Sequence, residues 1–278
     1  LKINPTEAFK EIKNLDAIKF LGVISNPAVS KMLADSNADV NDIFKIIESV
    51  PLTQTNMSQI EKAVMFATPK DHSVVFDYIE NLPISEYKNK LLSSAYGAYA
   101  KEHPSKVFEE LLSIQHSKSA AIVAESITKS LAISNTQDIL DCFSRTGDEN
   151  TKKAIADSLI AVLSAKSAQK AISLLNDESI SGSMSPSVRN SALANISTQL
   201  TQDNLQKGLA WLGSLSEADS TPATQGLVAT WMKTDPIAAS EWLSQQPAGS
   251  ARDAGAQEII NQIKDTDPEM AEQWRKSM

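Results

Sequence analysis

Three carboxylates raise the first chemical question: Asp77, Glu109 and Asp141 stand 32 residues apart, and Glu241 falls in the same register later in the chain. Glu80, Glu110 and Asp138 flank them. Two such groups in a pocket that raises one pKa perform general acid–base work, as in hydrolases. In a row on a solvated helix face they form a strip for a basic or cationic partner. Charge opposite an apolar stripe is also the ordinary finish of a surface helix. His72, beside Asp71, and His103 are a second candidate, one repeat apart and able to approach along one edge. A metal site needs three or four ligands at set spacing, and His116 falls in the opposite turn. The sequence has no His-x-x-x-His, no Gly-rich phosphate loop and no Gly-x-Ser-x-Gly elbow. We therefore expect no catalytic residue, cofactor or metal. The expected partner-binding strip is Asp77, Glu80, Glu109, Glu110, Asp138 and Asp141.

Residues that line up in this way need a repeated element beneath them. Counting back from Asp267 gives Asp235, Asn204, Ser167, Asn135, His103, Asp71 and Asp39, at a step of 32 interrupted once by a step of 37 and one of 31. Nearly all are residues whose short side chains accept a hydrogen bond from the unpaired first N–H groups of a helix. Pro104, Pro236 and Pro268 follow three of them, at the first helical position, where the missing N–H costs nothing. The fourth residue after each cap reads Ile43, Val75, Val107, Ile139, Ala171, Gly208, Ala239 and Ala271. The fifth begins Phe44, Phe76, Phe108, Leu140 and Ile172, and the eighth Ile47, Ile79, Leu111, Phe143 and Leu175. Positions four, five and eight share one face of a helix.

Counting the other way from each cap exposes a second helix, with Ala63, Ala95, Ile127, Leu159, Ile196, Leu227 and Ile259 eight residues earlier. Pro51, Pro83, Gly147 and Pro247 lie between the two as turn residues. Each unit is thus helix A, a turn and helix B. A fixed period of this length with two helices predicts an all-α chain, an α-solenoid of about seven helical hairpins. We expect one domain over 1–278: a diverged cap over 1–38, repeats over 39–266 and a capping helix over 267–278. In the cap, Thr6 is expected to begin a helix through Leu15, Ala17 to Ile24 a second, and Asn26-Pro27 a third. The Ser/Gly-rich run at 179–186 is expected to be the loop that carries the insertion.

The segment from Trp231 through Thr-Asp235-Pro236, Ala239 and Trp242-Leu243 to Pro247 and Arg252-Asp253 resembles tandem helical repeats of large bacterial proteins of unknown function. The likeness is close over 227–274, and earlier units keep only the spacing. It implies an all-helical array and supplies no activity. Tetratricopeptide and HEAT solenoids are more distant neighbours in architecture. The Trp-Leu-Gly-Tyr pattern of the former is absent, so its peptide-binding residues are not carried over.

Composition closes off several function classes. A net charge of −8 opposes nucleic-acid binding, which rests on Lys and Arg contacts to phosphate. No apolar run approaches the roughly 20 residues that span a bilayer. The lone Cys142 excludes an intrachain disulfide and falls in a packing column, so it reads as a small buried hydrophobe. Trp211, Trp242 and Trp274 stand seven residues after their caps, a column read as packing between repeats rather than as a ligand stack. The first residue is Leu1, which fits an exported chain trimmed of its signal. The expectation is a monomeric, non-catalytic scaffold for a protein or peptide. A hydrolase using the carboxylates, or a spacer within a longer envelope protein, are the alternatives.

Overall fold

The computed structural model describes residues 4–51 and 53–278, and among them every regular element is a helix. The chain divides into two compact units, Leu1–Ile155 and Ala156–Met278.

The first unit opens with α1 (Pro5–Ile12), α2 (Ala17–Ile24) and α3 (Pro27–Met32). Asn4, not Thr6, caps α1, because Pro5 fits the first helical position and Asn4 accepts from the Thr6 and Glu7 N–H groups. The helix also stops at Ile12, short of Leu15. Hairpins follow: α4 (Val40–Glu48) with α5 (Gln54–Ala67), α6 (His72–Glu80) with α7 (Glu86–Glu102), and α8 (Pro104–Ile114) with α9 (Ala120–Leu131). Next come α10 (Thr136–Arg145) and α11 (Glu149–Lys166), the latter crossing the unit boundary. Helices B stack in order, α2 on α5, α5 on α7 and α7 on α9. Ala63, Ala95 and Ile127 of helices B and Ile43, Val75, Val107 and Ile139 of helices A are all buried. Each buried Val or Ile there stabilises by roughly 1.5–3 kcal/mol relative to exposure. Lys70 ties the diverged cap to this stack by donating Nζ to the carbonyls of Leu33, Ala34 and Ser36.

In the second unit α12 (Ala168–Leu175), α13 (Glu178–Ser183) and α14 (Pro186–Asp203) follow the end of α11. Then come α15 (Leu205–Leu212) with α16 (Glu217–Trp231), α17 (Pro236–Ser244) with α18 (Ser250–Ile263), and α19 (Pro268–Ser277). Helices α14, α16 and α18 pack in sequence, and α19 closes on α18. Gly226 lets α16 approach α14 so closely that a Cβ would strike the carbonyl oxygen of Ala194. The core runs through Leu227, Ala239, Leu243, Ile259, Ala271 and Trp274.

All eight frame residues from Asp39 to Asp267 occupy N-cap positions. Five accept the expected side-chain hydrogen bond, and His103, Asn135 and Ser167 do not. Asn135 spends its amide on Asp138 instead, and at α12 the carboxamide oxygen of Gln199 accepts from the Ala168 N–H. The insertion at 179–186 is not a loop. Asp177 caps α13 there, Ile180 and Met184 are buried, and Asp157 accepts from the Ser185 N–H at 2.6 Å. Two apolar anchors and a cap outweigh the weak helix propensity of Ser and Gly. No helix among the described residues is long and apolar enough to cross a membrane.

Candidate functional site

Three cavities share lining at the same three repeat positions on consecutive helices A, although α16, α18 and the turn before α18 line much of the first and no helix B lines the last. In each, the fifth and ninth residues after one cap face the seventh residue after the next. Between α15 and α17 these are Leu209, Gly213 and Trp242, lining about 530 Å³. Between α17 and α19 they are Ser240, Ser244 and Trp274, lining about 340 Å³. Between α4 and α6, in the first unit, they are Phe44, Glu48 and Tyr78, lining about 470 Å³. The coincidence follows from the fold. The fifth and ninth positions lie one turn apart on a helix, so they present a ridge, and the short helices A leave a groove where that ridge meets the next.

Each groove has an aromatic wall held in place from behind. Tyr78 stacks on Phe44 with ring centroids 4.3 Å apart, and burial, then the Glu48 charge, pushes its hydroxyl pKa up. Trp242 leans on Trp231 at 5.8 Å. Trp274 is buried beneath the guanidinium of Arg252, whose Cζ sits 5.8 Å from the ring centroid. Leu212 and Leu243 complete the floor of the largest groove, and Pro247 to Arg252 form its rim.

No protein-family model, no curated protein and no solved structure matches this chain. The functional reading therefore rests on the geometry alone.

The six acidic residues fare differently from one another. Asp77 lines the α4–α6 groove beside Tyr78, and Glu80 is exposed on the same helix. Glu109 and Asp141 are brought together by Arg145, which donates Nη1 and Nη2 to Glu109 at 2.8 and 3.1 Å and reaches Asp141 at 3.4 Å. The guanidinium holds the Glu109 carboxyl below its ordinary pKa, first through the hydrogen bond and then through charge. That is the reverse of what a general acid needs. Glu110 is half-buried near Tyr96 and Tyr99. Burial, followed by the Glu110 charge, pushes both phenols up to about 12. Asp138 is exposed and accepts from the Asn135 amide.

His72 and His103 do approach, with ring centroids 6.3 Å apart, and Tyr99 packs against both, stacked on His72 at 4.5 Å. Among the described residues no third His, Cys, Asp or Glu joins them in a group able to hold a metal. Sequence reasoning passed over Arg145 and Arg252. It also assigned the fifth and seventh positions to packing. The available signal was the rings Tyr78, Trp211, Trp242 and Trp274 at the seventh position of helix A, but Ile46, Cys142 and Leu174 share that position, so it reads equally as packing.

Proposed function

We propose that this protein is a non-catalytic repeat scaffold that binds a peptide in the grooves between consecutive helices A. The observation that carries the reading is that three cavities share lining at the same three repeat positions, each with an aromatic residue at the third. The largest, at about 530 Å³, falls within the roughly 300–1,000 Å³ typical of ligand sites, and its floor is apolar with a few polar groups on the rim. The two grooves of the second unit share Arg252, and neighbouring grooves suit an elongated ligand better than one compact molecule. The lowered Glu109 carboxyl weighs against a hydrolase built on the acidic row.

Selection of random 12-residue displayed peptides on the whole chain tests this. Selected peptides should compete with one another and change tryptophan emission. Leu209→Glu and Trp242→Ala should each weaken them about tenfold or more, as truncation of a central anchor does. Peptides that bind Leu209→Glu and Trp242→Ala as tightly as the parent would remove the groove as the site.

A further inference from the structure

The groove between α4 and α6 differs in charge from its two counterparts. Each groove of the second unit is lined by one carboxylate, Glu217 or Glu241, and by the guanidinium of Arg252. The groove of about 470 Å³ in the first unit is lined by two carboxylates, Glu48 and Asp77, and by no Lys, Arg or His among the described residues. Lys88 stands seventeen residues after Asp71, as Arg252 does after Asp235. It does not take the place of Arg252, because its ammonium donates to the carbonyls of Glu80 and Leu82 at 2.6 and 3.1 Å. Leu82 lines the groove, so this charge stands at its edge, held by backbone oxygens. No Lys or Arg among the described residues forms an ion pair with Glu48 or Asp77.

The same groove holds the stacked rings of Phe44 and Tyr78, with Ile47, Val50 and Val74 beside them. Burial, then the Glu48 charge, raises the Tyr78 hydroxyl pKa, so a carboxylate stands within electrostatic reach of the ring wall. A neutral apolar side chain entering here would cover both carboxylates without pairing them, and an acidic one would add a third like charge. Arginine and lysine combine an apolar methylene stem with a cationic head. We propose that the α4–α6 groove takes a basic side chain of the bound peptide, its cationic head pairing with Glu48 and Asp77 and its stem lying on Phe44, Val74 and Tyr78. This rests on the peptide-binding reading above and names the chemistry of one residue of the ligand. An exposed ion pair is worth little by itself. The gain comes from two carboxylates meeting one cation while its stem leaves water, and the affinity for a single residue is low.

All four tryptophans lie in the second unit, so binding here is read by NMR from the backbone amide signals of Tyr78 and Asn81 in the whole chain. The probes are N-acetyl-arginine amide and N-acetyl-citrulline amide, which share a shape and differ in charge. The arginine amide should shift those signals and bind about fivefold more tightly than the citrulline amide. Added salt should shrink the preference, because both carboxylates are exposed. Glu48→Gln combined with Asp77→Asn should abolish it. Glu241→Gln, at the position equivalent to Asp77 in the second unit, should leave it intact, each variant being checked for its helical spectrum. Equal affinities, no shift with either amide, a preference that survives Glu48→Gln with Asp77→Asn, or one lost in Glu241→Gln would overturn the proposal. The broader reading fails separately: it falls if the random displayed peptides include no groove-dependent binder, and stands if they depend on Leu209 and Trp242 while the arginine amide ignores Glu48 and Asp77.

Discussion

The guanidinium of Arg145 grips the carboxylate of Glu109 across two helices A, Nη1 to Oε1 at 2.8 Å and Nη2 to Oε2 at 3.1 Å. It does so in the middle of the row where the repeat register shows only acid. A second contact from the same group reaches Asp141. The pair is exposed, so its value lies in local charge rather than in stability.

Removing that guanidinium should free the Glu109 carboxyl. Its folded pKa is depressed, so the pair contributes above the ordinary carboxylate pKa and its contribution fades as pH falls. In Arg145→Ala, a carbon-detected NMR titration of Glu109 should move up to the usual glutamate range, while the thermal midpoint barely changes. An unmoved titration would mean that the contact does not persist in solution.

A less exposed pair should matter more. Arg189 on α14 donates Nε and Nη2 to Asp219 on α16 at 3.1 and 2.8 Å, with both side chains mostly covered. The hydrogen bond from Arg189 lowers the Asp219 pKa against the opposing effect of burial. Stability from this carboxylate is present above the ordinary aspartate pKa and lost as pH drops through the depressed one. Arg189→Ala should cost roughly 1–3 kcal/mol at neutral pH by stranding Asp219. The difference from the parent should shrink in urea titrations run at progressively acid pH; a constant difference would exclude the pair as its source.

The helical frame was readable because its signals are local. Asp71, Asp235 and Asp267 reach N–H groups only three residues onward, and the fourth-position column from Ile43 to Ala271 is buried throughout. What could not be read depends on contacts between repeats. Arg145 meets Glu109 at a separation of 36 residues, because a long side chain at the end of one helix A reaches back to the middle of the previous one. Helix α13 was hidden because Ser and Gly suggest a loop, whereas the Asp177 cap and the burial of Ile180 and Met184 stabilise it. The grooves escaped notice for a subtler reason. Phe44, Leu209 and Trp242 are the residue types that packing also selects, so composition alone does not separate a filled column from an open one.

Gly226 and Gly97 both sit in helices B against a neighbouring helix, yet they should respond unequally to alanine. Alanine gains about 1 kcal/mol of helix propensity at either site. At Gly226 the new methyl meets the Ala194 backbone, including its carbonyl carbon at 2.9 Å, which cannot yield without moving α14. At Gly97 it meets the Ser126 and Ser130 hydroxyls at 2.9 and 3.1 Å, side-chain atoms that can shift without moving a helix, although the Ser126 hydroxyl donates to the Ser93 carbonyl. Gly226→Ala should therefore lose roughly 1–3 kcal/mol net, and Gly97→Ala distinctly less. Urea midpoints decide it, and a Gly226→Ala chain as stable as the parent would refute the close approach.

Cys142 should behave as core. Burial pushes its thiol pKa up to about 11, despite a hydrogen bond with Thr146 and the Arg145 charge, both of which act the other way. Almost no thiolate exists at pH 8, and the thiolate is the reactive form. A disulfide reagent should leave the folded chain unlabelled for hours and modify one thiol at once in urea. Rapid labelling without denaturant would mean that α10 opens far more readily than its packing implies.

Gly249 links local backbone to the proposed groove. It carries the one positive φ among the described residues, 151° with ψ 178°, a region nearly closed to residues with a Cβ. A methyl there would meet no atom within 4 Å, so any cost of Gly249→Ala comes from backbone strain, roughly 1–3 kcal/mol. The chain can relieve that strain by turning the Pro247–Ser250 segment, which rims the larger groove. Gly182→Ala in α13 is the matched control: it too meets no atom within 4 Å, and its helical position should make it neutral or stabilising by about 0.5–1 kcal/mol. Gly249→Ala should thus lower both stability and peptide affinity, whereas Gly182→Ala leaves affinity unchanged. If Gly249→Ala loses stability and still binds selected peptides like the parent, the rim is not part of the recognition surface.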